Sequence, residues 1–387
     1  MRVVVFRTCI LAACLAASLC AANGPSATPD SAPWSSKAAA AYLDGRLTWW
    51  MGWPVAARDH ETFCVSCHTV LPYAMARPAL RVALAEQTPS FVERKLLDNV
   101  TKRVRMWQDV EPFYPDAKRG GPSWVGARVS ELLGLAGARK TAESRGTESI
   151  LNALILAGYD VPTGKLSPNV RLAFHNMWEQ QLKTGEAKGA WSWLQFHNAP
   201  FEGDSQYYGA ALAAIAVGTA PGNYRSAPEI QDNMKLLGEY LVRERESQIL
   251  INRVILLWAS TKVPGLLTPS QQKATIEEAL SKQLADGGFS LSSFVGAWKR
   301  RDNTPLETKS DGYATGVVTY VLQQAGVTHD QPQVNRGLAW LMLNQDKTEG
   351  RWLAYSLNKK RDLSSDIGHF MSDAATAYAV LALTSAN

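Results

Sequence analysis

The sequence predicts an all-α protein built as a closed ring of six helical hairpins, and three observations carry that expectation. No segment sustains the period-two alternation of a half-buried strand. Amphipathic helical stretches alternate with stretches that are apolar on every side, the pattern of an outer helix with one buried face followed by an inner helix with none exposed. The pair recurs six times, and pairs that cannot bury their apolar faces alone stack on neighbours until the inner members line a common centre.

The chain opens on an export signal over residues 1–22. Arg2 and Arg7 bracket a charged segment, Thr8 to Cys20 form a 13-residue apolar run, and Ala21-Ala22 offer a cleavage site before Asn23. The run is too short to cross a bilayer, so no transmembrane segment is expected, and the destination is the periplasm. Leu11-Ala12-Ala13-Cys14 has the form of a lipobox, the alternative being a lipid-anchored protein at Cys14, but only six residues would separate it from Arg7. Residues 23–37, rich in Pro, Ser and Ala, read as a linker. Residues 38–387 form one domain.

Within it, the first hairpin pairs Ala38–Trp50 with Leu71–Leu80. The second has its outer helix at 91–108 and its inner helix at 147–157, with 123–136 as an insertion. The third pairs 170–182 with 205–217 (SQYYGAALAAIAV), the fourth 228–244 with 247–260, and the fifth 270–283 with 311–322. The sixth is the clearest. Val334, Leu338, Leu341 and Met342 share one face of a helix over 332–345, and Ser372–Thr384 is small and apolar all round.

Composition excludes several classes. A chain of 387 residues with 46% hydrophobic and 19% charged residues has the makings of an ordinary folded core. Removing the two arginines of the signal from a net charge of +5 leaves +3, too little and too dispersed for nucleic acid. Of five cysteines, Cys9, Cys14 and Cys20 fall in the signal, so the exported chain keeps only Cys64 and Cys67 and is no disulfide scaffold.

Both survivors stand in Cys64-Val65-Ser66-Cys67-His68. Two thiols at this spacing can form thioethers to the two vinyl groups of a haem, and the adjacent imidazole ligates the iron. The chemistry of attachment takes place outside the cytoplasmic membrane, where the signal sends the chain. A structural zinc site would need two further paired ligands, and no other cysteine is available. A thiol–disulfide oxidoreductase would need a βαβ context, which is absent from the pattern. The expected cofactor is therefore covalent haem c, held by Cys64, Cys67 and His68 with His68 on the iron.

A resemblance adds to the fold reading. Arg336-Gly337, Trp340-Leu341, Gln345 and Gly350-Arg351-Trp352 match the repeat motif of squalene cyclases, and partial copies stand at Gln181 with Gly189 and Trp191 and at Gln283 with Gly287 and Phe289. From about residue 38 onward the chain resembles the α/α toroid of the terpenoid cyclase and protein prenyltransferase superfamily. The resemblance implies a fold and not an activity. Where the cyclases carry an acid motif this chain has Ser310-Asp311-Gly312-Tyr313, with Asp311 expected to cap a helix. No acidic run for a diphosphate-bound magnesium occurs, and no cysteine is left for a prenyltransferase zinc.

In such a ring all inner helices begin at one rim, so closure brings His369 and Met371 beside the haem motif. His369 is the expected second iron ligand, ahead of Met371 and Met106. Met75, seven residues after His68, shares its face and cannot reach around a haem. Trp191, Trp193, Phe196, Tyr207, Tyr208, Tyr313 and Trp352 are expected to rim an apolar cavity, with Glu202, Asp204 and Asp311 as acids at its edge. The functional expectation is a periplasmic haem c redox or electron-transfer protein with a redox partner protein and an apolar, isoprenoid-like ligand in the ring. The alternatives are a haem-based sensor or binding protein, or a diverged cyclase.

Overall fold

The computed structural model describes residues 34–114, 135–203, 206–328 and 330–385, with the side chains of 135–139 left aside. The export signal, Cys14 and most of the linker lie outside the described residues. Helix accounts for 59% of the structure and strand for 2%, so the class is all-α.

Twelve α-helices occur among the described residues. They are α1 (Ser36–Gly52), α2 (Val70–Ala83), α3 (Phe91–Arg105), α4 (Leu135–Asp160), α5 (Pro168–Glu179) and α6 (Tyr207–Thr219), then α7 (Gln231–Glu244), α8 (Leu250–Lys262), α9 (Pro269–Leu280), α10 (Gly312–Gln324), α11 (Pro332–Leu343) and α12 (Phe370–Thr384). Helix α1 begins two residues inside the expected linker, because the Ser35 hydroxyl accepts from Ala38 N and caps it there. Ser90 and Glu93 close a capping box on α3, and Thr268 and Gln271 do the same on α9.

The even-numbered helices pack on one another in a cycle. Helix α2 lies on α4, α4 on α6, α6 on α8, α8 on α10 and α10 on α12, and α12 returns to α2. Helices α5, α7, α9 and α11 cover the even-numbered helix before each of them, and α1 covers both α12 and α2. Because even-numbered helices meet neighbours on both flanks and a cover outside, most of their residues are buried, and in α6 and α12 the burial runs without a break. The run extends from Tyr207 to Val217 in α6 and from Met371 to Leu383 in α12. Side chains of such helices must be small where backbones cross. A Cβ on Gly316 of α10 would stand 2.7 Å from Ala379 N of α12.

The repeat residues join successive outer helices. Gln181 donates to Gly189 O and to Asn233 O on α7, each at 3.0 Å. Gln283 donates to Gly287 O at 2.9 Å and to Gln333 O on α11 at 2.6 Å. Gln345 donates to Gly350 O at 2.9 Å and to Ser35 O at 3.0 Å, and accepts from Ser35 N at 2.6 Å, tying the end of α11 to the start of α1. The indoles of Trp191 and Trp352 donate back to Met177 O and Leu341 O. Gly350 is obligatory: its φ is +78°, and a Cβ there would meet Ala38 O at 2.5 Å.

Candidate functional site

The cysteine pair lies between α1 and α2. A two-residue antiparallel pairing, Ala57–Arg58 with Thr62–Phe63, turns the chain toward Cys64, whose N–H donates to Ala56 O at 2.8 Å. Asn99 of α3 clamps Phe63 by accepting from its N–H and donating to its carbonyl. The Trp50 indole donates to Cys64 O at 2.7 Å. The Ser66 hydroxyl accepts from Thr69 N and Val70 N and so starts α2. Ser66 thereby fixes the step that sets the two thiols and the imidazole at the head of an inner helix.

Cys64 and Cys67 are buried and free of any disulfide. Burial pushes the Cys64 thiol up to about 12 and raises Cys67 well above its ordinary value, so neither is a thiolate nucleophile. His68 is buried, and burial with the nearby Arg46 guanidinium pushes its imidazole down to about 3. It is neutral at any physiological pH.

Its tautomer follows from one chain of hydrogen bonds. Thr69 Oγ1 donates its single proton to Asp373 Oδ2 at 2.7 Å, so it accepts from His68 Nδ1 at 2.9 Å. Nδ1 therefore carries the proton and Nε2 keeps a lone pair, as a metal-ligating histidine requires. Asp373, on the first turn of α12, also accepts from Tyr42 OH and Arg46 Nε, both at 2.8 Å, and Arg46 reaches Asp366 at 3.0 Å. The Phe370 ring stacks on the imidazole at 4.0 Å, and Trp50 meets it edge-on at 5.3 Å.

Cys64 and His68 line a half-enclosed cavity of about 320 Å³. Its aromatic side is formed by Trp50, Trp53, Tyr114, Phe196 and Phe370, and Met371 joins them. Arg58, Arg301 and Arg361 stand in its polar wall with Glu202. Among the described residues no group of three or more His, Cys, Asp or Glu converges as a ligand set for a bare metal ion.

Other expected site residues fall differently. His369 does not line this cavity. Its ring stands 6.3 Å from Tyr42, among Arg46, Arg351 and Asp373, and its two nitrogens are buried without a hydrogen bond. Burial, with Arg351 and Arg46, lowers its pKa. Met371, two residues on, is the candidate that reaches the cavity. Met75 on α2 and Met106 at the end of α3 do not line it. Of the seven aromatics expected at the cavity only Phe196 lines it. Trp193 donates to Phe201 O and Tyr207 to Leu241 O, so with Trp191 and Trp352 they are wall residues tied to carbonyls. Asp311 caps α10, accepting from Ala314 N, and also accepts from Leu291 N. Asp204 lies outside the described residues.

Sequence reasoning missed Arg46, Thr69, Asp373 and Phe370 as partners of His68. The same rim argument that singled out His369 covers Asp373, but nothing in the sequence links Thr69 to a residue 304 positions away.

Burial pushes Glu202 up to about 7, with Lys140 pulling it down. A carboxyl raised in the fold contributes stability that is fully present below its ordinary value of 4.5 and is lost as pH rises through 7. Glu202→Gln is therefore expected to gain about 2 kcal/mol on the unmodified chain between pH 4.5 and pH 8. Urea midpoints at the two pH values check this, and a difference that does not move with pH would count against a buried carboxyl.

No protein-family model matches the chain, and no curated protein does. Solved structures similar to it are glycosidase variants. One, in complex with glucose, has a TM-score of 0.49 at 11% identity, covering 90% of this chain and 97% of the other. A second has 0.47 at 10% identity with the same coverage.

Proposed function

We propose that this is an exported, periplasmic c-type haem protein that transfers electrons, with haem attached at Cys64 and Cys67 and His68 as the iron ligand. One observation carries the reading. The only imidazole of the motif is neutral, has Nδ1–H pinned by Thr69 and Asp373, and lines a cavity shared with Cys64. The donor set fits the group on further counts. Both cysteines are free of any disulfide, as thioether formation requires. Aromatic walls suit a porphyrin face, and Arg58, Arg301 and Arg361 suit its two carboxylates. When bound, haem supplies a one-electron ferric–ferrous couple.

The cycle of even-numbered helices, with the glutamine links between outer ones, supports the finer fold reading of a six-hairpin α/α toroid like that of the terpenoid cyclase superfamily. In this reading the toroid is a scaffold that brings α12 against the haem motif. Electron transfer is favoured over action on an isoprenoid-like ligand in the ring, because Trp191, Trp193, Tyr207 and Trp352, four of the aromatics expected to hold one, spend their polar groups on wall carbonyls, although the Tyr208 and Tyr313 hydroxyls are buried without a partner. His369 does not line the cavity and Met371 does, so Met371 is the side chain that would be available there as a second iron ligand.

The test is acid extraction of the chain produced with a c-haem assembly system. Haem is expected to stay with the polypeptide and to give a pyridine haemochrome spectrum of thioether type. Cys64→Ser/Cys67→Ser is expected to hold none after extraction. Haem that leaves the unmodified chain freely, or never attaches, ends the proposal.

A further inference from the structure

Beside the haem cavity a second depression of about 560 Å³ opens on the surface. It is lined by Trp49 and Trp53 of the α1 end on one side and by Lys359, Lys360 and Arg361 on the other, with Asp362, Ser365, Asp366 and Ile367 at its base. Its charges are not balanced. Asp366 is engaged by Arg46, and Asp362 accepts from Ser364 N and Oγ. Lys359 and Lys360 are exposed, and no acidic side chain pairs with either among the described residues. Lys360 is held only through its backbone N–H, on Asp302 at 2.8 Å. Among the lining side chains three cations face two carboxylates.

The two indoles are also the outer end of a run of rings. Trp49 and Trp53 stack at 5.0 Å and 24°. Both approach Phe370, at 6.2 and 6.1 Å, and Phe370 stacks on the His68 imidazole at 4.0 Å and 23°. Tryptophan and arginine are enriched among the residues that anchor protein interfaces, and exposed lysines steer a partner of opposite charge toward them. Here they end on the residue that the proposed function puts on the iron.

We infer that this face, centred on Trp49, Trp53, Lys359 and Lys360, is the docking surface for an acidic one-electron carrier protein, and that the rings of Trp53 and Phe370 bridge it to His68. The inference rests on the haem reading. One electron leaves the reduced carrier and takes ferric iron to ferrous. No bond forms or breaks, no proton is required, and the aromatic rings serve as the medium between donor and acceptor without being oxidised. Charge complementarity selects the partner: an acidic face is steered to Lys359 and Lys360, where the lining cations outnumber the carboxylates.

The test is stopped-flow reduction of the haem-loaded full chain by reduced flavodoxin, an acidic one-electron carrier, with dithionite as the small reductant. Lys359→Glu/Lys360→Glu is expected to slow the second-order reaction with flavodoxin by about tenfold or more at low salt and to flatten its salt dependence. Its optical spectrum and its reduction by dithionite are expected to stay as they were. Trp53→Leu is expected to lower the limiting rate at saturating flavodoxin without changing the concentration that saturates it. Flavodoxin rates within twofold of the unmodified protein in the lysine variant would overturn the docking surface. So would a loss confined to binding of anionic phospholipid vesicles. An unchanged limiting rate in Trp53→Leu would overturn the ring bridge. A chain that takes up no haem defeats the function proposed above, whereas calorimetric titration of flavodoxin against it still reads the surface.

Discussion

Asp373→Ala is expected to destabilise the haem-free chain by about 3 kcal/mol and to exchange the tautomer of His68. The carboxylate is wholly buried and accepts four hydrogen bonds, one each from Tyr42 and Thr69 and two from Arg46. Removing it leaves Arg46, itself buried, with only the part-exposed Asp366 as a charge partner, so the loss falls at the lower end of what breaking a buried pair costs, about 3–5 kcal/mol. The tautomer follows from donor counting. With Asp373 gone, the Thr69 proton has no acceptor but His68 Nδ1. The imidazole then keeps its proton on Nε2, the nitrogen that must be bare to ligate iron. Nitrogen-15 chemical shifts of the imidazole in the haem-free protein read the exchange directly, and urea unfolding reads the stability. Asp373→Asn separates the two effects: its amide oxygen can still accept from Thr69 and so keep the tautomer, while the lost charge still destabilises Arg46. Equal tautomers in the Ala variant and the unmodified chain would remove the Thr69–Asp373 relay from the account.

The residues around Asp373 also mark where reading the sequence stops. Inner helices such as SQYYGAALAAIAV declare themselves because a helix enclosed on all sides can carry almost nothing but small and apolar residues. The cysteine motif declares itself because two cysteines at this spacing beside a histidine form the pattern of covalent haem attachment, the role proposed above. Closure carries the first turn of α12 to the cysteine motif, where Asp373 meets Thr69, but a shared register does not choose among neighbours on that turn. Successive helical residues point about 100° apart, so His369, Phe370 and Met371 face three ways. His369 turns to Tyr42 on α1, Phe370 lies on the imidazole, and Met371 enters the cavity. The aromatics failed for another reason. An indole needs an acceptor when buried, and Trp191, Trp193 and Trp352 found theirs in wall carbonyls, which a ring-wide pattern of tryptophans does not reveal.

The second large effect is expected on the other flank of the motif. Arg103 of α3 and Glu148 of α4 form a pair with no exposed side-chain surface, at 2.5 and 3.0 Å. The same guanidinium donates to Thr62 Oγ1 and to Glu111 O, each at 2.6 Å. It therefore ties two helices to the short strand that delivers Cys64. Arg103→Met leaves the buried Glu148 side chain without its hydrogen-bonded cation, at a cost of about 3–5 kcal/mol. In Arg103→Met/Glu148→Gln the stranded carboxyl is gone, and the double variant is expected to recover most of that loss, because a buried ion pair repays little beyond its own desolvation. What the double variant does not restore is the tether on Thr62. Access of a thiol reagent to Cys64 and Cys67 in the haem-free chain is thus expected to rise in both variants, whereas stability falls steeply in the single one alone. If stability and thiol access instead move together across the cycle, Arg103 acts on the motif only through the stability of the whole fold, and the strand needs no tether of its own. If they part, the two flanks divide the work: Arg103 holds the strand that delivers the thiols, and Asp373 holds the imidazole in its Nδ1-protonated form.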